Sequence, residues 1–375
     1  MSFNFNLPFR VWEQRKLGKE VENVATGRST FFTSIEQSSE TPYAVLGSTS
    51  VISYDKNFDH SGDFILTARV GANAGNLYKY SGDVKISDNT VYIQAKSLDF
   101  VYYLLNKFDL KRLSFGTGQP LVKASELKNL KLMFPNDEEE QQKIGKFFKY
   151  LDDTIALHQR KLEALKLMKK AFLQQLFPNN DEKVPRLRFA DFDEEWDQRK
   201  LGDLGSVVMN RRVFKEETSY KGEIPFYKIG TFGGVADSYI TRERFEDYKL
   251  KYPYPEKGDV LISASGSIGR AVEYNGEEAY YQDSNIVWLK HDKQLNNLFL
   301  KQFYSIVKWS GIEGTTIKRL YNKNILQTEI KVPCVDEQKK IGIFFKQLDN
   351  NITRYQSKLE KLSSLKKAYL QRMFI

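Results

Sequence analysis

The stretch "EQQKIGKFFKYLDDTI" at residues 140–155 returns, slightly altered, as "EQKKIGIFFKQLDNNI" at residues 337–352. Both stretches belong to longer copies, because residues 139–177 align with residues 336–374 without a gap, and about 22 of the 39 positions are identical. Chance does not produce agreement of this extent. The chain therefore contains an internal duplication, and this duplication determines its architecture.

A second, shorter echo lies upstream of each copy. "VWEQRKLG" at 11–18 returns as "EWDQRKLG" at 195–202, whereas the sequence between each echo and the following copy is mostly different. Weak likenesses survive there, since "GDFILTARVGANAG" from Gly62 resembles "GDVLISASGSIG" from Gly258. The repeat unit is thus a variable block followed by a shared block. We expect the two variable blocks to be one fold that carries two different surfaces.

The shared block has the spacing of a long helix. Its apolar residues recur three and four positions apart, which is the heptad seam of packed helices. The seam consists of Ile144, Phe148, Leu151, Ile155, Leu162, Leu165 and Phe172 in the first copy and of Ile341, Phe345, Leu348, Ile352, Leu359, Leu362 and Tyr369 in the second. One such helix is not stable alone in water, so each copy is predicted to pack on the other. Because the second helix must run back, the pair is predicted to be antiparallel.

Further apolar residues lie off this seam, at Phe147, Leu157, Leu167, Met168 and Leu173. They widen the apolar stripe beyond what a contact between two helices buries, which indicates additional protein partners along the helices. The alternative is that these residues fold back onto the globular domains. The sequence leaves both interpretations open.

Each variable block mixes short apolar runs with turn residues. "FILTA", "VYIQ", "VLISA" and "IVWLK" are predicted strands, "LDFVYYLLNKF" has helical spacing, and Gly71, Gly75, Gly266 and Gly269 mark tight turns. The predicted fold class is mixed α/β, with two similar globular domains joined by two long antiparallel coiled-coil helices as a pseudo-two-fold internal repeat. The predicted boundaries are 1–137 for domain 1, 138–178 for the first helix, 179–194 for a linker, 195–335 for domain 2 and 336–375 for the second helix.

Composition predicts a globular cytoplasmic protein. Of 375 residues, 41% are hydrophobic and 28% are charged, and the sequence has neither a secretory leader nor an apolar run of 18 residues. One cysteine, Cys334, and three histidines supply neither an internal disulfide nor a cysteine/histidine zinc cluster. The net charge of +9 favours a polyanionic partner, although such a surplus is also common in proteins that bind no nucleic acid.

The sequence lacks recognisable motifs for catalysis. There is no GxxxxGK[ST] loop for ATP, "FGTG" from Phe115 leads into a proline, and neither "NPPY" nor "DPPY" occurs. The acidic runs "NDEEE" and "DFDEE" lie at a helix start and in a linker, where helix-dipole stabilisation and solubility account for them. We therefore expect a non-catalytic chain with no metal or cofactor of its own.

The order of these motifs resembles the specificity subunit of type I restriction-modification systems. In both copies a proline and a short acidic stretch precede "EQ", "KIG", an apolar pair, "LD", "KLE", "KK" and a final "LF" or "MF", with a variable domain before each copy. The resemblance covers essentially the whole chain. It implies two target recognition domains joined by two conserved helices, each domain reading one half of a split, asymmetric DNA site.

The same resemblance implies protein partners. Two methyltransferase (modification) subunits would dock on the conserved helices, and ATP-dependent restriction subunits would translocate and cleave DNA. S-adenosylmethionine, ATP and Mg are then expected only in those partner subunits. This chain would contribute the recognition of double-stranded DNA.

A rigid helix pair would hold two reading domains at a fixed separation. A helix of this length spans about 55 to 60 Å, and half-sites one DNA turn apart lie about 34 to 36 Å apart. We expect the helices to act as a ruler that sets the number of unread base pairs between the half-sites. Because the shared blocks are alike and the variable blocks differ, the target is expected to be non-palindromic.

Candidate DNA contacts are the polar and basic residues of loops in the variable blocks, because such side chains reach base edges and phosphates. In block one they are Arg28, Thr30, Tyr54, Lys56, Arg69, Asn73, Asn76, Lys79 and Gln119. In block two they are Arg211, Arg212, Lys215, Tyr227, Lys228, Arg242, Arg244, Ser265, Ser267, Arg270, Thr315, Thr316, Lys318, Arg319 and Tyr321. Alternatively, any single cation here is a solvated surface charge, the glycine turns are scaffold, and Tyr54 and Tyr227 are core residues.

Other classes of protein fit part of the pattern. A DNA-binding regulator with a coiled-coil spacer would bind its site without partner subunits. A helical adaptor would lack the loss of binding at high salt that phosphate contacts cause. A single-chain nuclease or methylase fits least, because its motifs are missing. The duplication across the whole chain favours the specificity subunit, but it does not identify the bases that are read.

Overall fold

The chain forms two compact units that each combine one variable block with parts of both long helices. Unit 1 takes in residues 1–160 and 357–375, and unit 2 takes in residues 161–356. The computed structural model describes residues 11–30, 33–114, 120–179, 181–309, 311–312 and 318–374.

The described strands of unit 1 form three sheets. Its elements are β1 (Trp12–Lys16), α1 (Leu17–Glu20), β2 (Asn23–Thr26), β3 (Tyr43–Leu46), β4 (Val51–Asp55), β5 (Asp63–Ala68), β6 (Leu77–Ser81), β7 (Val84–Ile86), β8 (Thr90–Gln94), α2 (Leu98–Phe108), a 3-10 helix (Leu110–Ser114), α3 (Ala124–Asn129), β9 (Lys131–Pro135) and the first part of the long helix α4 (Glu138–Gln175). Its described strands form a β1-β9 ribbon, a sheet ordered β2-β8-β5-β6 and a sheet ordered β4-β3-β7. All pairs are antiparallel except β3 with β7.

Unit 2 repeats this plan. Its elements are β10 (Asp197–Lys200), α5 (Leu201–Leu204), β11 (Gly205–Val208), a 3-10 helix (Lys215–Glu217), β12 (Ile224–Tyr227), β13 (Ser238–Ile240), α6 (Arg242–Lys251), β14 (Val260–Ser263), β15 (Ala271–Glu273), β16 (Tyr280–Tyr281), β17 (Ile286–His291), α7 (Asn297–Ile306), α8 (Asn322–Gln327), β18 (Glu329–Val332) and part of the long helix α9 (Val335–Met373). Its described strands form a β10-β18 ribbon and sheets ordered β11-β17-β14-β15 and β13-β12-β16, with β12 parallel to β16. The two variable blocks therefore share one fold.

The apolar runs of the variable blocks form the central strands of the four-stranded sheets. In unit 1, Ile65 and Ile93 pack with residues of α2, whereas Phe64, Leu66 and Tyr92 pack with residues of the three-stranded sheet. Because both faces of the sheet are covered, these strands are apolar along their whole length instead of alternating with polar residues. The predicted mixed α/β fold is confirmed.

Within unit 1, the segments of α4 and α9 pack antiparallel. The ring of Phe147 meets that of Tyr369 edge-on with centroids 5.2 Å apart. Further along α4, Asp152 forms an ion pair of 2.5 Å with Lys366, which precedes Tyr369 in α9. The residue number therefore rises along one helix where it falls along the other.

Unit 2 contains the repeat equivalents of these pairs. Phe172 meets Phe344 with ring centroids 5.0 Å apart, and Lys169 forms an ion pair of 2.6 Å with Asp349. Phe344 and Asp349 are the second-copy equivalents of Phe147 and Asp152. The shared sequence thus produces the same helix contact in both units.

The residues of the predicted seam are all buried or half-buried. Of the residues off the seam, Phe147 and Leu173 pack against the cores of their units, as the fold-back interpretation expects. Leu157, Leu167 and Met168 stay 44%, 69% and 42% exposed, respectively. The long helices therefore keep some exposed apolar surface.

The glycine of each "KIG" motif lies where the long helix crosses a helix of its own domain. A Cβ at Gly145 would lie 2.6 Å from the backbone nitrogen of Phe100, and one at Gly342 would lie 2.6 Å from Cβ of Leu298 and 3.0 Å from the backbone nitrogen of Phe299. Real Cβ atoms do not approach backbone this closely. The motif keeps glycine because only hydrogen fits at this crossing.

Replacing Gly145 with alanine is expected to destabilise unit 1 by about 1–3 kcal/mol, because the new methyl group meets backbone that cannot move aside. The direction of the change in stability distinguishes a close crossing from an exposed site, because replacing glycine with alanine in an exposed helix stabilises that helix by about 1 kcal/mol. Urea unfolding followed by circular dichroism measures the change, with Ser363→Ala at an exposed position of α9 as the matched control. A gain in stability from Gly145→Ala would contradict the close crossing.

A phenylalanine at the end of each shared block completes a domain core. Phe374 is 2% exposed, its ring centroid lies 6.3 Å from that of Trp12 and 5.5 Å from that of Phe100, and it stacks on Phe148 at 5.6 Å. The equivalent set in unit 2 is Phe177, Trp196, Phe299 and Phe345. In unit 1 the second shared block therefore closes the core of the first domain.

Candidate nucleic-acid interface

In unit 1 the glycine turn after β5 lies beside the segment that precedes α3. The backbone N–H of Gly71 donates to the carbonyl of Pro120 at 3.0 Å, and that of Val122 donates to the carbonyl of Arg69 at 2.8 Å. Gly71 has a φ of +89°, a conformation that favours glycine. Two segments that are about fifty residues apart in sequence thus form one edge.

The loop between β7 and β8 extends this edge. The N–H of Asp88 donates to the carbonyl of Ser29 at 3.1 Å, and the N–H of Arg69 donates to the carbonyl of Asn89 at 2.9 Å. Four segments are therefore joined by backbone hydrogen bonds. We call them row 1, which consists of residues 28–30, 69–76, 87–89 and 120–122.

Unit 2 joins the corresponding segments in the same way. The N–H of Gly266 donates to the carbonyl of Lys318 at 3.3 Å, and the N–H of Leu320 donates to the carbonyl of Ala264 at 2.8 Å. Gly266 has a φ of +64°. Both turns keep glycine at this position, which supports the interpretation that the glycines are scaffold.

The loop before β17 again extends the edge. The N–H of Ala264 donates to the carbonyl of Asn285 at 2.7 Å, and Nε of Arg212 donates to a carboxylate oxygen of Asp283 at 2.9 Å. Row 2 consists of residues 211–212, 264–270, 283–285 and 318–320. The two rows are built alike, although their side chains differ.

Exposed cations lie along both rows. In row 1, Arg28 and Arg69 are exposed and form no ion pair within the described part of the chain. In row 2 the same holds, over the described ranges, for Arg270, Lys318 and Arg319. Free guanidinium and ammonium groups on one edge are suited to contact phosphates and guanine bases.

Several other predicted cations are already neutralised by carboxylates of their own unit. Arg242 binds Glu278 through two nitrogens at 3.0 and 3.2 Å, and this hydrogen bonding raises the pKa of Arg242. Lys228 pairs with Asp237 at 2.9 Å, which lowers the pKa of that carboxyl. Because carboxylates already neutralise them, these side chains are less suited to bind a phosphate. Further ion pairs of this kind are Arg244 with Glu217 at 3.1 Å, Lys79 with Asp99 at 2.5 Å and, within row 2, Arg212 with Asp283 at 2.9 Å.

The predicted tyrosines and small polar residues have varied surroundings. Tyr54 packs against the smaller core of unit 1, and Tyr227 stacks on Tyr281 at 5.6 Å, so both match the core interpretation. Ser265 is buried, and its hydroxyl donates to Asn285 at 2.6 Å.

The remaining candidates that the structure describes lie at or near the surface. Arg211 stacks over Tyr252 at 5.3 Å, and Asn76 donates its side-chain amide to Asn73 at 3.2 Å. Gln119, Thr315 and Thr316 lie outside the described residues. The described candidates not yet mentioned are all exposed, and they are Thr30, Lys56, Lys215, Ser267 and Tyr321.

Asn89 is a candidate that the sequence did not single out. It is exposed and follows β7 next to Arg69, and its repeat equivalent Asn285 holds the same position in row 2. An asparagine side chain is suited to read adenine. The signal was present as a likeness between "SDNTVYI" from Ser87 and "DSNIVWL" from Asp283.

The described residues offer no cluster of three or more His, Cys, Asp or Glu side chains suited to hold a metal ion. Over the same residues, no helix combines the length and the apolar character that crossing a membrane requires.

Comparisons with known proteins match this architecture. The family described as "Type I restriction modification DNA specificity domain" matches residues 10–167 and again residues 193–364. A Haemophilus influenzae protein provisionally named as a type I restriction enzyme specificity subunit is 36% identical over 347 residues, which cover 89% of this chain and 88% of that protein.

Solved structures agree in fold. The crystal structure of the S subunit of a type I restriction-modification system from M. genitalium has a TM-score of 0.69 at 16% identity, covering 100% of this chain and 98% of that one. A chain solved in work on complex assembly and conformational transition of the type I R-M system has a TM-score of 0.50 at 17% identity, with 98% of each chain covered.

Proposed function

Because the chain belongs to the family of type I restriction-modification DNA specificity subunits, we propose that each of its two target recognition domains reads one half of a split, asymmetric site in double-stranded DNA. We assign domain 1 to residues 1–137 and domain 2 to residues 195–335. The helices then take in residues 138–178 and 336–375, and residues 179–194 form a linker. The chain acts in the cytoplasm, where its DNA substrate and partner subunits are present.

The observation that carries this proposal is the pair of equivalent rows. Equivalent backbone hydrogen bonds join three of the four segments in each row, yet row 1 presents Arg28, Arg69 and Asn89 whereas row 2 presents Arg270, Lys318 and Arg319. A common scaffold with different exposed side chains is what two different half-sites require. The expected target is therefore non-palindromic.

The shared helices are proposed to hold two methyltransferase (modification) subunits. Their sequences agree at about 22 of 39 aligned positions, so two copies of one partner can dock on two equivalent surfaces. Met168 on α4 and its repeat equivalent Leu365 on α9 are both 42% exposed and supply equivalent apolar contact area, whereas exposed Leu157 and Leu167 add apolar area on α4 alone. The chain itself is non-catalytic in this proposal, and methylation and ATP-dependent cleavage belong to the modification and restriction subunits.

The helices are also proposed to set the spacing of the half-sites. Helix α4 has 38 residues and α9 has 39, without a break in either. Deleting one heptad from each, residues 157–163 and 354–360, shortens the pair by about 10 Å. We expect the unread spacer to shrink by about three base pairs. Methylation mapping of cells that express the shortened chain measures this change, and an unchanged spacer would contradict the ruler.

Single-molecule methylation mapping tests the function. DNA is compared from cells that express this chain with a cognate methyltransferase subunit and from cells that express either protein alone. A new split, asymmetric motif that is methylated only when both are present supports the proposal. Sequence-specific DNA binding by the chain alone, with no new methylation despite stable assembly, would favour a stand-alone regulator with a coiled-coil spacer.

A further inference from the structure

The first turn of each long helix buries a glutamate. In unit 2 this residue is Glu337, which is fully buried and receives two hydrogen bonds of 2.8 Å from Arg188. Arg188 belongs to the segment between the first long helix and β10 and is itself largely shielded from solvent. A bidentate pair of this geometry neutralises the buried carboxylate and satisfies both of its oxygens.

Glu140 is the repeat equivalent of Glu337, and within the described part of the chain it lacks such a partner. The residue is 8% exposed, and its Oε2 atom is buried without a hydrogen-bond partner among the described residues. The adjacent glutamine is held alike in both copies, since Gln141 donates to the carbonyl of Pro135 at 3.3 Å and Gln338 to that of Pro333 at 2.9 Å. The first turns of α4 and α9 are therefore built alike, but only the glutamate of α9 has an arginine bound to it among the described residues.

An unpartnered buried carboxylate is costly, and the helix dipole offsets only a small part of that cost. The second copy shows what this position binds when it is satisfied, namely a guanidinium group held through two nitrogens. We propose that Glu140 is a guanidinium-binding site, occupied by an arginine side chain when the protein is at work.

Two arginines could supply this guanidinium group. One is Arg10 of the same chain, which lies outside the described residues and is not the repeat equivalent of Arg188, since it precedes Trp12 by two residues whereas Arg188 precedes Trp196 by eight. The other is an arginine of a modification subunit docked on the helices, and this source rests on the proposed function. Both present the same chemistry to Glu140.

The test compares Glu140→Gln with Glu337→Gln in the full chain, by thermal unfolding and by affinity for the modification subunit. Glu337→Gln is the positive control and should lower the unfolding midpoint, with a strong coupling to Arg188→Ala in a double-mutant cycle. If Arg10 fills the site, Glu140→Gln lowers the midpoint and couples to Arg10→Ala in the same way.

If a partner arginine fills the site, Glu140→Gln raises the midpoint of the isolated chain, because it removes an unpaired charge. The same variant then weakens the complex roughly tenfold or more, because it removes one side of a buried charge pair. The inference is overturned if Glu140→Gln leaves the complex unchanged and does not couple to Arg10→Ala. Unaltered methylation by that complex would leave the proposed function intact, so the two failures are distinguishable.

Discussion

Replacing Phe374 with alanine is expected to lower the free energy of unfolding of unit 1 by about 3–5 kcal/mol. The side chain is buried among Trp12, Phe100 and Phe148, and its removal leaves a cavity that these rings cannot fill without moving. Loss of this magnitude is a large part of the stability of a typical domain. We therefore expect unit 1 to open while unit 2 stays folded.

Hydrogen exchange measured by mass spectrometry resolves the two units. Peptides from β5 and β8 should exchange faster in Phe374→Ala, whereas those from β14 and β17 should not change. Phe177→Ala is the reciprocal variant, with the opposite pattern. Tyr150→Ala is the control for unit 1, because that side chain is 64% exposed on α4. Equal effects of Phe374→Ala and Tyr150→Ala would contradict the role of Phe374 in closing the core.

The triple variant Arg270→Ala, Lys318→Ala and Arg319→Ala is expected to weaken binding of the cognate DNA at least 100-fold. Each of the three cations lies on row 2 and forms no ion pair in the described part of the chain. A base contact is worth about 1–3 kcal/mol, so the loss of three contacts reaches this factor even at about 1 kcal/mol each, because 100-fold corresponds to about 2.8 kcal/mol. The slope of the logarithm of the association constant against the logarithm of the salt concentration should also become less steep by about 0.9 for every phosphate contact that is lost.

The matched control removes the same charge from the same unit. Arg242→Ala, Arg244→Ala and Lys251→Ala delete three cations that already pair with Glu278, Glu217 and Asp247. Titrations of labelled DNA at several salt concentrations compare the two triple variants in complex with the modification subunit. If both weaken binding equally, overall charge and not row 2 determines the affinity.

Much of the fold could be predicted because it depends on local periodicity. Apolar residues three and four apart in the shared blocks specify α4 and α9, and unbroken apolar runs specify β5, β8, β14 and β17. The duplication and the order of its motifs were enough to indicate the family. The antiparallel packing followed from the connection alone, since the second helix has to return to the first domain.

The candidate site was less accessible to sequence reasoning. Arg242 and Arg270 are both arginines of the second variable block, and nothing near them in sequence shows that one is paired with a carboxylate and the other is not. The carboxylate of Glu278 is brought to Arg242 from 36 positions away, through the fold. Only the folded chain separates Arg270 on row 2 from the cations that carboxylates already occupy.

The sequence by itself therefore determined that this protein is a duplicated α/β chain with two long helices and the features of a DNA specificity subunit. The tertiary structure decided which segments form the two rows, that Phe374 completes the core of unit 1, and that Arg188 satisfies Glu337 whereas Glu140 has no such partner among the described residues. The physical reason is the separation in sequence between the residues that make contact. Periodicity records contacts between near neighbours, whereas these contacts join distant segments whose meeting depends on the path of the whole chain.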